Sequence, residues 1–363
     1  MGGKNRVLVA MSGGVDSSVA AALLKDQGYD VIGATLQLWP KDAPPPEDDT
    51  GCCSLSAVED ARRVADMLGI PFYVLNFRDV FEGNVIETFI EEYMVGRTPN
   101  PCIACNKRIK FDILLKKALA LGMDYVATGH YAKIQYNPER DRYLLYKAKD
   151  PAKDQTYFLY GITQDQLRHT LFPLAPYNKE KVRELAKGLN LSVAEKAESQ
   201  EICFVTDNDY RGFIKNRVGD RIEKGPFLDT QGNVIGEHRG IPYYTIGQRK
   251  GLGLALGYPA YVVDIDQKNN AVVVGKEKDI FKKEMIVSEC NFIPFSRLEG
   301  RHEVNIKVRY RTEEAPGVVQ PEGSDRVRVL FKNPRRAITP GQAAVFYKGD
   351  MVIGGGTIET VVG

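Results

Sequence analysis

Several things the sequence lacks narrow its class. No apolar run approaches the roughly 20 residues a helix needs to cross a bilayer, so no membrane span is expected. The amino terminus, Met1 to Asn5, is polar and leads into a buried-strand pattern. It has neither the basic-then-apolar order of a secretory signal nor the arginine-rich order of a transit peptide, so a cytoplasmic location is expected. A strong charge bias is also missing: 49 basic and 47 acidic side chains leave a net +2. The segments 1–204, 205–280 and 281–363 carry −2, +1 and +3, which permits a nucleic acid partner without demanding one. Six cysteines in 363 residues are too sparse for a disulfide scaffold. What remains is an ordinary globular composition, 43% hydrophobic and 26% charged, long enough for two or three domains.

The first two hundred residues alternate β-branched runs with helical spacing. Arg6–Met11, Val31–Leu38, Phe72–Asn76 and Asp124–Thr128 read as strands; Val19–Leu24, Ala57–Leu68, Val85–Val95 and Phe111–Leu121 read as helices. That order predicts a doubly wound parallel sheet with its ligand at the carboxyl ends of the strands. Pro40–Gly51 interrupts it as a surface loop. After Cys203 the texture becomes β-rich. Tyr261–Asp266 and Ala271–Gly275 form a hairpin pattern, and Val304, Ile306, Val308 and Tyr310 alternate along one face, with Arg309 and Arg311 on the other. The expected fold is therefore α/β plus β: an amino-terminal sheet domain (1–204), a small central β-rich domain (205–280) and a carboxy-terminal β-barrel (281–363).

Ser12-Gly13-Gly14-Val15-Asp16-Ser17-Ser18 joins the first strand to the first helix. Two glycines let successive N–H groups converge on an anion, and the serines and helix amino terminus add donors. The lysine of a G-x-x-x-x-G-K-[ST] loop is absent, which makes γ-phosphoryl transfer less natural. The loop is similar to the PP-loop of ATP pyrophosphatases, which cut between the α- and β-phosphates; Asp16 is expected near the pyrophosphate and its Mg2+. Asp124–Tyr131 (DYVATGHY) brings Gly129 to a place where adenosine can approach. His130 is read as structural, with no acid–base role.

The cysteines fall as Cys52-Cys53, Cys102 and Cys105, then Cys203 and Cys290. The prolines flanking Asn100 fix a turn before Cys102 and Cys105, and Lys107, Arg108 and Lys110 follow. Cations and a helix start favour a thiolate. Sulfur transfer needs a carrier sulfur and, in its reductive form, a second thiol; Cys105 and Cys203 can supply that pair. Cys52-Cys53 and Cys290 read as packing residues.

SGGVDSS, ATGHY, TPNPCIACNKRIKF, KDQTYFLY and SQEICFV, in this order, resemble the bacterial tRNA-specific 2-thiouridylase (MnmA/TrmU) family along essentially the whole chain. The resemblance implies an adenine nucleotide hydrolase-like domain, a central domain and a β-barrel, and ATP- and Mg2+-dependent thiolation of C2 of the wobble uridine, position 34, in tRNAs for Lys, Glu and Gln. It implies nucleotide contacts at Ala10, Met11, Ser12, Gly13, Gly14, Val15, Asp16, Ser17, Leu36 and Gly129. Cys105 falls on the nucleophile and Cys203 on the persulfide carrier, the two able to pair as a disulfide during turnover. Asn100, Pro101 and Cys102 fall on a target-base segment, and Lys153, Asp154, Gln155, Arg309 and Tyr310 on tRNA-contacting segments. A cysteine desulfurase or sulfur-relay protein is the implied donor.

One departure matters. Cys102 stands where better-known relatives have an aspartate, which removes a candidate acid–base group. It also creates a set of three thiols, Cys102, Cys105 and Cys203, able to hold three irons of a 4Fe–4S cluster. Another PP-loop adenylating ligase or amidotransferase, or a non-catalytic tRNA-binding protein, are the alternative readings of the chain.

Overall fold

The computed structural model describes residues 4–39, 54–196, 202–205 and 209–362. The Pro40–Gly51 loop, Cys52-Cys53 and the run Glu198–Glu201 lie outside the described residues.

The amino-terminal segment forms β1 (Arg6–Ala10), β2 (Asp30–Gln37), β3 (Phe72–Asn76), β4 (Tyr125–Ala127), β5 (Ala132–Asn137), β6 (Arg142–Lys147) and β7 (Thr170–Leu171). Five of them make a sheet of order β3-β2-β1-β4-β7, and every pairing is parallel. Helix α1 (Val15–Asp26) follows β1. Helix α2 (Leu55–Leu68) is capped by Ser54, whose hydroxyl accepts from Ala57 N at 3.1 Å, and stops at Gly69 in the left-handed region. One face of the sheet packs on Val15, Val19 and Ala61 from these helices together with Val182 and Ala186 of helix Lys179–Gly188. The other face packs on Phe81, Phe89, Ile109, Leu114, Phe204 and Ile214. The expected doubly wound sheet is present, and strand order reverses between β1 and β4, where such folds bind ligands.

The central segment forms β8 (Gly225–Leu228), β9 (Val234–His238), β10 (Tyr261–Asp266) and β11 (Ala271–Gly275), ordered β10-β11-β8-β9 around Phe227, Tyr244 and Val262. The last segment forms β12 (Phe281–Phe292), β13 (His302–Lys307), β14 (Ala315–Glu322), β15 (Arg326–Arg336), β16 (Ala343–Lys348) and β17 (Met351–Val362). The order β12-β15-β14-β13-β16-β17 closes through β12–β17 pairing into a six-stranded barrel. Closure pairs the first barrel strand with the last and leaves the start of β17 beyond that seam.

Two features depart from the expectations. Hairpin β5–β6, from the first two hundred residues, pairs onto β17 through Met351 and Tyr146, so the barrel and the parallel-sheet domain share one hydrogen-bonded ladder. The alternation expected through Tyr310 ends earlier: β13 stops at Lys307, and residues 308–312 turn, with Thr312 donating from its N–H and its hydroxyl to Arg309 O at 3.2 and 2.9 Å. Arg309 and Tyr310 therefore do not occupy opposite faces of a strand.

Phe204 ties the segment carrying Cys203 into the core. It is 4% exposed and meets Phe81, Phe89 and Phe213 edge-on or tilted at 5.3–5.8 Å. Phe204→Ala is expected to destabilise the chain by roughly 3–5 kcal/mol, read from the urea midpoint, because a rigid aromatic shell leaves a cavity.

Candidate active site

The loop after β1 is held open by internal hydrogen bonds. Met11 N donates to Ala34 O at 2.8 Å, and Thr35 Oγ1 donates to Met11 O at 2.7 Å, fixing the strand end. Ser17 Oγ accepts from Ser12 N at 3.1 Å, and Ser18 Oγ donates to Gly14 O at 2.9 Å. Gly13 has φ +66°, and a Cβ there would lie 2.2 Å from Ala57 O, so only glycine fits. The loop lies over the amino terminus of α1 at the switch point between β1 and β4, a place suited to phosphate.

Gly129 follows β4, and its side-chain-free face is already occupied. A Cβ would sit 2.6 Å from both Asp16 C and Ser17 N. The glycine expected to admit adenosine is thus first required by contact between the end of β4 and the start of α1. Leu36, next to last in β2, is buried on the sheet face opposite α1.

Asp16 is the one carboxylate in the loop sequence. Tyr131 donates its hydroxyl to Asp16 Oδ1 at 2.7 Å, and Lys179 Nζ lies 2.8 Å from both carboxylate oxygens. Lys179 is 12% exposed and Asp16 30%, so the pair is only partly screened. The cation missing from the loop sequence is thus delivered by the first residue of helix Lys179–Gly188. Sequence reading missed it because 163 residues separate the partners. One local signal was available: a lysine in a helix's first turn opposes the macrodipole, an unfavourable place unless something else holds it.

The cysteine segment begins with a capped turn. Asn100 Oδ1 accepts from Ile103 N at 3.3 Å, and Pro101 fills the first helical position. The helical path then runs Pro101–Ala104, a π-helical stretch Cys105–Leu114 and Leu115–Ala120. Cys105 therefore lies one turn inside the helix instead of at its start. Long π-helical stretches are rare and often mark functional segments. The cations behind it diverge: Arg108 donates to Asn84 O and Thr88 Oγ1 at 3.1 and 3.0 Å, and the stem of Lys107 lies against Gly161. Cys102 is exposed, whereas Cys105 and Cys203 are half-buried. Both half-buried thiols pack on the apolar cluster that also takes Ala10, the last residue of β1, and Leu36 near the end of β2.

Other expected contacts sit at domain junctions. Asp154 is only 7% exposed and accepts from Thr156 Oγ1 at 2.8 and 3.0 Å; burial raises its pKa, opposed by those hydrogen bonds and by Lys307 and Lys147. In this position it is enclosed with Thr156, whose hydroxyl lies 3.3 Å from Tyr347 Oη of the barrel. Gln155 Oε1 accepts from Tyr131 N at 2.9 Å, and Lys153 is half-buried. Arg309 donates to Ile246 O of the central domain at 3.3 Å and to Thr339 Oγ1 of the barrel. Tyr310 packs against Phe158 at 4.4 Å between ring centroids. Cys290 packs on the barrel core, and burial pushes its thiol up to about 12.

Among the described residues no group of three or more His, Cys, Asp or Glu is arranged to hold a metal ion. Cys102, Cys105 and Cys203 thus do not form the three-thiol set expected for a cluster. A single carboxylate, Asp16, in a loop suited to phosphate fits Mg2+, an ion held largely by substrate phosphates and water.

Comparison with known proteins bears directly on this geometry. Residues 5–207 match the tRNA methyl transferase HUP domain, 211–276 the tRNA methyl transferase PRC-barrel domain and 282–358 the aminomethyltransferase beta-barrel domain. A tRNA-specific 2-thiouridylase MnmA of Moorella thermoacetica is 59% identical over 98% of this chain and 99% of its own. That of Carboxydothermus hydrogenoformans is 60% identical over 98% of each. The chain belongs to the tRNA-specific 2-thiouridylase family. The domain descriptions speak of methyl transfer, but the relatives that match end to end are named thiouridylases, and a whole-chain match outweighs a domain label. Among solved structures, a 4-thiouridine synthetase–RNA complex with bound ATP aligns at 18% identity and a TM-score of 0.38, over 60% of this chain and 51% of that one, too loose a likeness to carry an argument. No described helix of this thiouridylase-family chain is long and apolar enough to cross a membrane.

Two outcomes are expected from this site. Gly129→Ala should cost about 1–3 kcal/mol in chemical denaturation, because β4 and α1 must separate to admit a methyl group. The second concerns pH. His130 is held well below the usual imidazole range by burial and by Lys110, and its Nδ1 lies 2.7 Å from Thr128 Oγ1; His238 is lowered by burial, opposed by Asn270 O and Glu237. Their unfolded forms take up protons at a pH where the folded forms do not, so stability should fall as pH drops from about 7 to about 5. Urea midpoints across that interval should decline less for His130→Asn than for wild type.

Proposed function

We propose that this chain replaces the C2 oxygen of the wobble uridine of tRNA with sulfur at the expense of ATP. One observation carries the reading: Cys105 and Cys203, 98 positions apart in sequence, pack on the same apolar cluster as Ala10 and Leu36 beside the nucleotide loop. The end-to-end match with thiouridylases supports it.

Backbone N–H groups of Ser12–Ser18 and the start of α1 receive the phosphates. Uridine O2 attacks the α-phosphorus; the bond to the bridging oxygen breaks, pyrophosphate leaves and C2 carries an adenylate. Mg2+, held by substrate phosphates and Asp16, would supply charge neutralisation when bound. The terminal sulfur of a Cys203 persulfide then attacks C2, and AMP leaves. The Cys105 thiolate attacks Cys203 Sγ, the persulfide S–S bond breaks and its electron pair stays on the uridine sulfur. A Cys105–Cys203 disulfide remains, to be reduced by an external thiol.

The wobble base must leave the anticodon stack to reach this site. Asn100, Pro101 and Cys102 form the turn over which it enters. With Asn100 capping the helix and Pro101 buried, Cys102 offers the exposed side chain of that turn. Lys153 contacts RNA phosphate, whereas Asp154, Arg309 and Tyr310 shape the junction that presents it. The tRNAs for Lys, Glu and Gln are the substrates, a cysteine desulfurase or relay protein loads Cys203, and the chain works in the cytoplasm.

Cys203→Ser and Cys105→Ser should each reduce 2-thiouridine to background in nucleoside mass spectrometry while tRNA-dependent pyrophosphate release continues. Wild-type product formation by Cys203→Ser would sink the persulfide route.

A further inference from the structure

Asp16 is contacted by two residues that the reaction above does not employ, and both are anchored on one short segment. Tyr131 and Gln155 exchange two hydrogen bonds: Tyr131 N donates to Gln155 Oε1 at 2.9 Å, and Gln155 N donates to Tyr131 O at 3.0 Å. Lys179 N donates to Asp150 Oδ2 at 3.0 Å, while Asp150 Oδ1 accepts from Ala152 N at 3.0 Å. The segment 150–156 thus grips Asp16 from two sides, through the Tyr131 hydroxyl and the Lys179 ammonium. Its far end is tied to the barrel at Thr156, whose Oγ1 lies 3.3 Å from Tyr347 Oη, and Lys147 Nζ, at the end of β6 just before the segment, pairs with Glu314 at 2.5 Å.

We infer that Tyr131 and Lys179 are positioning residues for Asp16, and that segment 150–156 couples RNA engagement to nucleotide affinity through them. The proposal rests on the reading that this segment meets tRNA at Lys153. A small shift of the segment changes how strongly Lys179 and Tyr131 hold the Asp16 carboxylate. It thereby sets how readily that carboxylate and the ammonium turn to the incoming phosphates. RNA and nucleotide then favour the same arrangement, and by linkage each raises the affinity for the other. An ion pair serving only to fasten helix Lys179–Gly188 to α1 would stabilise the fold without any such coupling.

The test is equilibrium binding of α,β-methylene-ATP, whose α–β bridge cannot be cleaved by this chemistry, to the full chain with and without saturating tRNA. In wild type the RNA should tighten the analogue by about fivefold or more. Tyr131→Phe keeps the ring and removes one hydroxyl from a buried site; its melting temperature should stay near wild type, while the RNA-dependent tightening falls below about twofold. Lys179→Gln should lose the tightening and Lys179→Arg should retain most of it, which separates position from bulk should either variant prove unstable. Full tightening in Tyr131→Phe and Lys179→Gln would overturn the inference, as would a wild-type ratio of one with tRNA bound. Failure of wild type to bind tRNA at all would instead overturn the substrate reading on which it rests.

Discussion

The site depends on one close approach, the contact between Gly129 and the backbone of Asp16 and Ser17. Because no side chain intervenes, the end of β4 touches the start of α1. Tyr131, two residues further on, then falls within hydrogen-bond reach of the Asp16 carboxylate. From Tyr131 the chain of contacts continues to Gln155 and so to the segment that meets the barrel. A larger residue at Gly129 would displace the loop's carboxylate as well as its backbone. The glycine sets chemistry through geometry.

A second set of contacts fixes the thiols. Thr98 N donates to Pro340 O at 2.9 Å, Gln342 Nε2 donates to Thr98 O at 2.9 Å, and Thr98 Oγ1 lies 3.4 Å from Thr245 Oγ1. Barrel and central domain therefore hold the residues immediately before Asn100, where the cysteine helix begins. Glycine again permits the approach, since Gly341 has φ +89° and its missing Cβ would lie 2.8 Å from Thr98 N. The two β domains thus act on Cys105 mechanically, by ordering the turn that aims its helix. Fixing several loop residues costs conformational entropy, and these inter-domain bonds offset it.

Much of this was legible from local pattern. The runs at Arg6 and Val31 gave strands because they are short, β-branched and buried on both faces; Ser12–Ser18 gave the turn from β1 into α1 because its glycines permit the positive φ seen at Gly13. What was not legible is long-range. Nothing near Asp154 shows that Tyr347 and Lys307, from a distant part of the chain, will lie around its carboxylate and Thr156. Alternation at Val304–Tyr310 overran the strand because period alone carries no stop signal, and the turn at Arg309 is made by Thr312 folding back. The three cysteines suggested a cluster by count, which carries no information on geometry; among the described residues no three His, Cys, Asp or Glu are arranged to hold a metal ion.

Lys179 shows where local and global demands part. At the first position of its helix, capped by Asn178, the ammonium meets the positive end of the macrodipole, and the helix alone would favour an acid there. Partial burial adds a desolvation cost. Asp16 offsets both only while the carboxylate stays at 2.8 Å. Asp16, however, stands in the first turn of α1, where a negative charge is favourable on its own account. Removing Lys179 would therefore leave Asp16 tolerably placed, whereas removing Asp16 would leave Lys179 badly placed. In the proposed reaction an entering triphosphate would give the ammonium a second anionic partner, while the carboxylate would meet the phosphates only through the Mg2+ between them. The pair is consequently biased to open toward the ligand by the lysine's movement, with Asp16 staying on the helix that defines the loop.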